Sequence, residues 1–400
     1  MKILCAFGKF AYGNALRGES YEYVNFLAAL RSLGHEVAFF DTLDRSEYAN
    51  FAELNRAFLK IAALEKPDVI FCVPVHYEIW VETLALAKRA TGACLIAWAT
   101  DDSWKYEESS RFLAASFDIF ATTYRSALNK ATHDGLANFI LTQWAAPGSM
   151  LLPPKPASAC RYPVSFIGAA YGNRRKWVDG LRQRGIEVSC FGHGWAAGTV
   201  PAADIPRIIN DSVLSLNFGD SDLVLQGWRI VRSRQIKARV FEVPAAGGCL
   251  LTEPAEGLEE YFVAGEEIET FVGLDALAAK IRRLHEAPEI RDRIALAGYR
   301  RTSMQHTYEI RLRQLLDSAV VGKPDKIDWT AFEALVAAHC TGVALKILRA
   351  LMVLPCQLFF GKQRGRRAAR RLFFELSWRI VGHRTYGAAG LPGRLFFEES

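Results

Sequence analysis

Short, largely apolar runs alternate with amphipathic ones along most of this chain, and that alternation leaves few architectures open. "KILCAFG", "HEVAFFD", "DVIFCVPV" and "CLIAWATDD" have the length and character of strands. Between them, "SYEYVNFLAALRSLG", "FAELNRAFLKIAALEKP" and "IWVETLALAKRATG" space their apolar residues as helices do, and stop at Gly34, Pro67 and Gly92. Strands that are apolar on both faces must be covered on both, which predicts an α/β fold with a parallel sheet between helical layers. "IFATTYR" and "NFILTQWA" supply two more strands.

Next comes "MLLPPKPASACRYP", with four prolines in fourteen residues, the best linker candidate in the chain. The alternation then restarts with "VSFIGAAYG", "KWVDGLRQRG", "IEVSCFG", "IPRIINDS" and "VLSLNF", followed by a helix within "QIKARVFEVPAAGG". "CLLTE", "LEEYF", "EIETF" and "LDALAAKIRRLHEAP" follow, and 289–318 read as a long, charged amphipathic helical stretch. A chain of 400 residues is long for one domain. The expected organisation is an N-terminal domain over 1–150, a linker over 151–163, a second α/β domain over 164–320 and an extension over 321–400.

The eight cysteines are scattered, and several lie in apolar runs, so they read as free thiols in a reducing compartment. The N-terminus reads as a strand rather than a signal peptide. No stretch offers about 18 uncharged apolar residues, so no spanning helix is expected. A cytoplasmic protein is the expectation, with peripheral contact at the inner face of the membrane as an option. The net charge of +6 is uneven. From Gly322 to Ser400 there are 13 Lys/Arg against 6 Asp/Glu, and the remaining 321 residues hold 36 against 37. Any nucleic-acid reading is therefore confined to the tail, and is disfavoured.

Two doubly wound domains form a cleft, and ligands bind such sheets at the carboxyl ends of the strands. The loops expected there are "FGKFAYGN", "VPVHYEIW", "WATDDSW", "FIGAAYGNRRKW", "CFGHGW" and "LNFGDSD", rich in glycine, aromatics and charge. In "WATDDSW", Asp101 and Asp102 follow an apolar strand and are flanked by Trp98 and Trp104. A carboxylate there can take a proton from a bound hydroxyl, and tryptophans can stack on a ligand ring. The same "DDS" also suits a helix N-cap. His76 is a second base candidate. Gly168 and Gly172 allow close backbone approach, and Arg174, Arg175 or Lys176 can neutralise an anionic ligand such as a phosphate. The alternative is a solvated basic turn. His193, between two glycines, either borders a ligand or is simply a turn residue.

The stretch from Val164 to Leu316 resembles the second domain of two-Rossmann glycosyltransferases of the GT-B fold, and most the CgeB-like (spore-maturation) branch within the group 1 glycosyl transferases. "VSFIGAAYGNRRKWVDGL", "VSCFGHGW", "QIKARVFEVPAAGGCLLTE" and "IALAGYRRTSMQHTYEIRLRQLL" carry the resemblance, and "GESYEYVNFLAALRSLGHEV" with "WATDDSWKYEESSRF" extends it more weakly over the first domain. It implies two Rossmann-like domains facing a cleft, no tightly bound cofactor and no metal. The donor would be a nucleotide-diphosphate sugar (UDP, GDP or dTDP), and the acceptor a glycan or lipid-linked hydroxyl in cell-envelope polysaccharide or glycan synthesis. In that setting Glu242 would accept the two ribose hydroxyls, Lys237 and Arg239 would lie a turn or less before it, and a helix start near Gln235 would offer N–H groups to phosphate. Helical spacing weights Glu242 above the two cations, and a local ion pair on its own helix is its alternative. Gly8 and Gly13 would pass close to the sugar phosphate. Many retaining relatives carry a second glutamate eight positions earlier; here that position is Arg234, which leaves the stereochemical course open and keeps a catalytically silent binding protein in view.

The tail "ALKILRALMVLPCQLFFGKQRGRRAARRLFFELSWRIVG" mixes large apolar side chains with cations. It reads as an amphipathic segment on an anionic membrane surface, as helices docked on the body, or, least, as a nucleic-acid patch.

Overall fold

In the computed structural model the described residues are 1–226 and 229–400, with side chains described outside 220–233. By its internal contacts the chain divides into two units, Met1–Gln143 with Leu312–Ser400, and Trp144–Arg311.

The first unit is built on β1 (Lys2–Phe7), β2 (Glu36–Asp41), β3 (Val69–Cys72), β4 (Cys94–Ala99), β5 (Ile119–Thr122) and β6 (Phe139–Leu141). Every neighbouring pair is parallel, in the order β2-β1-β3-β4-β5-β6. The crossovers are α1 (Tyr21–Ser32), α2 (Phe51–Glu65), α3 (Val81–Thr91), the short α4 (Asp102–Lys105) and α5 (Arg111–Leu113), and α6 (Arg125–His133). Local chemistry sets their ends. Ser20 and Asn50 cap α1 and α2 by accepting the N–H groups of Tyr23 and Glu53 at 3.1 and 3.0 Å. Gly92, at φ +71, ends α3 where a Cβ would stand 2.5 Å from the Gly322 carbonyl oxygen.

The second unit holds β7 (Tyr162–Ile167), β8 (Ser189–Phe191), β9 (Ser212–Asn217), β10 (Asp220–Gln226), β11 (Arg229–Arg234), β12 (Leu250–Thr252) and β13 (Glu269–Thr270). Its main sheet runs β13-β12-β9-β7-β8, all parallel. Its helices are α7 (Arg174–Arg182), α8 (Ile205–Asn210), α9 (Arg239–Ala245), α10 (Leu274–Glu286) and α11 (Pro288–Gln305); the division between the units falls inside α12 (Tyr308–Leu316). Two differences from the sequence expectation stand out. β10 and β11 form an antiparallel hairpin between β9 and α9 that the alternation gave no reason to expect. The helical stretch over 289–318 is two helices, broken at His306 and Thr307.

The proline-rich segment read as a linker is bonded into the second unit. Leu152 N–H donates to the Ala245 carbonyl at 3.0 Å and Asn210 Nδ2 to that of Pro153 at 3.0 Å. Arg291 is fully buried and donates to the carbonyls of Lys155, Ser212 and Val213 at 2.7 to 2.8 Å. A buried guanidinium needs several acceptors, and the extended segment supplies one of them.

The chain beyond the second unit returns to the first as α13 (Trp329–His339), α14 (Val343–Phe360), α15 (Lys362–Val381) and α16 (Leu391–Leu395). Phe332, Phe374 and Tyr386 are buried in the same core as Phe51, Tyr77 and Trp80. Phe332 stacks on Trp80 at 6.2 Å, and the Tyr386 hydroxyl donates to the Glu108 carbonyl. Of the three sequence readings of the tail, docking is what its inner faces do. α14 also corrects an expectation: its 18 residues have a mean hydropathy of 1.8, so by length and composition alone it is long and apolar enough to cross a membrane. Lys346 and Arg349 interrupt the apolar run without lowering its average below that level.

If the tail helices complete the first core, Phe332→Ala will lower stability by about 3–5 kcal/mol, as loss of a fully buried phenylalanine does. Urea unfolding followed by tryptophan fluorescence measures this; an unshifted midpoint would mean that α13 does not belong to the cooperative unit.

Candidate functional site

In parallel sheets the loops at the carboxyl ends of the strands carry the chemistry. In the second unit these are the loops after β7, β8, β9 and β12, together with the start of α9.

The loops after β7 and β8 interlock through glycine. Gly168 N–H donates to the Phe191 carbonyl and Trp195 Nε1 to the Gly168 carbonyl, both at 2.8 Å; Ala170 N–H donates to the His193 carbonyl at 2.8 Å. Gly192 has φ +131, and a Cβ there would lie 2.5 Å from the Gly168 oxygen. Only glycine allows that approach. Arg174 is buried and folds back: its Nη1 donates to the Ala169 carbonyl at 2.9 Å, Nη2 to the Tyr171 hydroxyl at 3.1 Å, and its guanidinium lies 4.0 Å from the Tyr171 ring centroid. Arg175 donates to the Gly194 carbonyl and sits over Trp195. So two of the three cations expected to neutralise a phosphate make bonds within the platform itself. Lys176, Gly172 and His193 are exposed on it.

The helix carrying Glu242 is shorter than its sequence suggested. α9 begins at Arg239, four residues after Gln235, so the expected phosphate-binding helix start at Gln235 is not there. Pro244 within it lacks an N–H, and the helix stops at Gly247, φ +73. The two glycines that follow are steric necessities. A Cβ on Gly247 would lie 2.6 Å from the Leu152 oxygen, and one on Gly248 2.6 Å from Ile209 Cγ2. Glu242 is 6% exposed and pairs with Arg239, Nη1 to Oε2 2.9 Å. Residues three apart on a helix are neighbours just as those four apart are, and this local ion pair is the alternative that the sequence left open for Glu242. Lys237 is half-buried just before the helix.

The structure adds Glu253, which the sequence reading quoted but did not single out. It is 3% exposed at the end of β12, accepts the Gly219 N–H at 3.0 Å and faces Arg234 Nε at 3.4 Å. Beside it, Asn217 Nδ2 donates to Thr252 Oγ1 at 2.9 Å. An acid closing a strand in "LLTE" was the available signal. "DSD", expected in the loop after β9, opens β10, and its side chains lie outside the described residues.

In the first unit, Gly8 and Gly13 both pack on Leu43. A Cβ on Gly8 would lie 2.5 Å from Leu43 Cδ1, and one on Gly13 2.8 Å from the Leu43 oxygen. The loop they allow is tied to itself by Ser20 N–H to the Lys9 carbonyl at 2.7 Å, and leaves Tyr12 and Leu16 exposed.

The pair Asp101–Asp102 is split. Asp101 adopts a left-handed conformation, φ 60, precedes α4 without making a side-chain cap bond, and is exposed. Asp102 is 2% exposed; the Ser110 and Thr122 hydroxyls serve it, and burial still pushes its carboxyl up to about 6. Only Asp101 of the two faces solvent. Trp98 is fully buried in the sheet, so only Trp104 is available to stack. Glu22, in the first turn of α1, emerges as a further acid: burial raises its pKa, and Lys105 and Asp101 act on it. An acid beside a helix start ordinarily complements the helix dipole, so nothing in the sequence singled it out.

His76 lies under α15. Its ring is 5.6 Å from Phe374, and its backbone N–H donates to the Glu78 carboxylate at 3.0 Å. Burial, followed by Arg370, Lys105, Arg45 and Arg371, holds its imidazole well below the usual range. That keeps it neutral near pH 7, but the space beside it is only about 20 Å³, too small for a sugar. A direct base role for His76 is therefore not supported. Close by, a π-helical turn over Tyr106–Ser110 carries Glu108, whose carboxyl burial pushes up to about 7, with Glu375 on α15 adding to the rise.

The comparisons with known proteins bear on the fold. Residues 174–317 match a family described as Glycosyl transferase-like. No protein of curated function matches the sequence. Among solved structures, Anabaena Alr3699/HepE in complex with UDP is 13% identical, with 80% of this chain and 99% of that one covered and a TM-score of 0.53. Sucrose-phosphate synthase from Thermosynechococcus elongatus is 12% identical over 79% and 98%, TM-score 0.52. The lipopolysaccharide outer core galactosyltransferase WaaB, in its apo form, is 11% identical over 80% and 99%, TM-score 0.50. The fold, two Rossmann-like units each with a parallel sheet, is that of the GT-B structures, with a helical C-terminal region.

Burial holds the Asp102 carboxyl of the folded state above the ordinary aspartate value near 3.8. The native state then holds the extra proton between about pH 4 and 6, and stability falls as pH rises through that window. Asp102→Asn is expected to flatten this slope and to be more stable than the parent at pH 7, by roughly 3 kcal/mol at most. Urea midpoints across pH test it; a parallel slope in the variant would mean that Asp102 does not titrate there.

Proposed function

We propose that this protein transfers a sugar from a nucleotide-diphosphate donor to a hydroxyl acceptor, with the nucleotide on the second unit and the acceptor on the first. The observation that carries the reading is Glu242. It is a buried carboxylate near the start of a short helix at the carboxyl edge of a parallel sheet, held by a left-handed glycine stop, in the stretch that matches the glycosyl transferase-like family. A carboxylate offers two acceptor oxygens to the two hydroxyls of a ribose. The Arg239 guanidinium orients it, and the glycine platform after β7 and β8 presents exposed Lys176 and His193 to a diphosphate. In the first unit Asp101 is the acid in position to accept a hydroxyl proton, with Trp104 beside it. Uridine diphosphate sugars are the first donors to try, because HepE was solved with UDP and with UDP-glucose. Within this class we read the chain as CgeB-like, on its "FEVPAAGG" segment, and as acting in cell-envelope polysaccharide or glycan synthesis.

A second reading has its own observation. Where many retaining relatives place an acid, Arg234 stands, and it faces the buried Glu253. A cation there favours a protein that holds a nucleotide sugar without transferring it.

Thermal shift and calorimetry with UDP-, GDP- and dTDP-sugars, followed by assay of released nucleoside diphosphate, separate the two. Transfer predicts stabilisation and release; holding predicts stabilisation alone. In either case Glu242→Gln is expected to weaken donor affinity at least about tenfold, since hydrogen bonds to a charged group are each worth roughly 1.5–3 kcal/mol. Unchanged affinity in a folded variant would remove Glu242 from the nucleotide site.

A further inference from the structure

α14 and α15 form a hairpin that turns at Gly361, φ +78, and packs so closely that a Cβ on Gly365 would lie 2.4 Å from Gln357 Cα. Its inner side is accounted for: Val353, Ala369, Leu395 and Phe396 form a small core, and Arg349 Nη2 donates to Glu399 at 2.6 Å. Its outer side is not. Val343, Ile347, Leu351, Leu354 and Leu358 recur every three or four residues on one face of α14, between 55% and 78% exposed. Phe359 and Phe360 continue the stripe at the tip, 84% and 60% exposed. A row of large apolar side chains about 27 Å long is more than a soluble surface ordinarily leaves in water.

What borders the stripe identifies its occupant. Six of the ten residues from Lys362 to Arg371 are basic and none is acidic. Lys346, Lys362, Arg364 and Arg367 are all exposed. We propose that this hairpin is a membrane-docking element that lies in the interface of an anionic bilayer, with the α14 stripe in the acyl region and the α15 cations on lipid phosphates. Two rivals fit less well. A spanning α14 would have to leave the core it shares with Leu395 and Phe396 and carry Lys346 and Arg349 into hydrocarbon. A symmetric pairing of two such faces would set the cations of the two copies near each other. The proposal does not depend on which sugar, or any sugar, is transferred.

The test is flotation of the full-length protein with vesicles of phosphatidylcholine and phosphatidylglycerol, against vesicles of phosphatidylcholine alone. Binding is expected to the anionic vesicles, and to weaken with salt. Lys362→Gln/Arg364→Gln/Arg367→Gln is expected to bind on the order of a hundredfold more weakly, about fivefold for each charge removed. Leu351→Asp/Leu358→Asp should abolish binding. All five positions are exposed, so both variants should keep the parent's melting temperature. The proposal is overturned if the parent binds neither vesicle, or if both folded variants bind as the parent does. It is also overturned if Leu351→Asp/Leu358→Asp dissociates a dimer of a parent that ignores lipid.

Discussion

A carboxylate taken out of water must find a partner, and much of the second unit is arranged so that Glu242 does. Its partner, Arg239, is on its own helix. Such a pair costs desolvation on both sides, and a buried ion pair is weak evidence of a gain in stability. An apolar side chain of similar size would be buried there at lower cost. Keeping the charge makes sense if the carboxylate is used, and the surroundings hold it in one place. Pro244 shortens the helix, Gly247 reverses the chain, and Gly248 lets the next strand pass tightly against Ile209 and Val243. The position of one acid is fixed by three residues that carry no chemistry of their own.

The same division of labour recurs on the glycine platform. Arg174 and Arg175 look like phosphate ligands when read along the chain, yet their guanidinium groups are occupied with carbonyl oxygens and aromatic rings. An arginine with several donors saturates local acceptors first when a loop offers bare carbonyls, as a glycine-rich loop does. On the proposed function, a ligand would meet the backbone of the platform and its exposed side chains, Arg175, Lys176 and His193. Likewise in the first unit, Asp102 turns inward to two hydroxyls while Asp101 takes the strained left-handed position that keeps it in solvent.

Much of this architecture was legible because burial on both faces writes itself into a strand as an unbroken apolar run. All six strands of the first sheet, and β7, β8, β9 and β12 of the second, overlap runs that could be picked out in advance, whereas β13, Glu269–Thr270, has no apolar residue to mark it. The β10–β11 hairpin escaped because it stands outside the main sheet and interrupts the strand–helix alternation instead of continuing it. The core role of Phe332, Phe374 and Tyr386 escaped because it depends on a return of the chain across a whole unit, and no local period encodes that. Which of two adjacent aspartates faces water, or whether Trp98 stacks on a ligand or packs in a sheet, was equally hidden. Those outcomes rest on one backbone dihedral and on which face of β4 the core covers.

α15 joins the two parts of the first unit that bear on function. Near its middle, Phe374 packs on His76 and Tyr77 at the carboxyl edge of the sheet, and Arg370 and Arg371 help to hold the His76 imidazole neutral. Glu375 meets Glu108 on the π-helical turn, close after Asp101 and Trp104 in the chain. At its start, Lys362, Arg364 and Arg367 stand exposed beside the apolar tip of α14. A helix that is continuous from Lys362 to Val381 is stiff over this distance, so whatever holds its first turns also fixes the orientation of the strand edge beneath its middle. If the hairpin docks on a surface as proposed, an acceptor carried there would meet the Asp101 loop from a restricted direction.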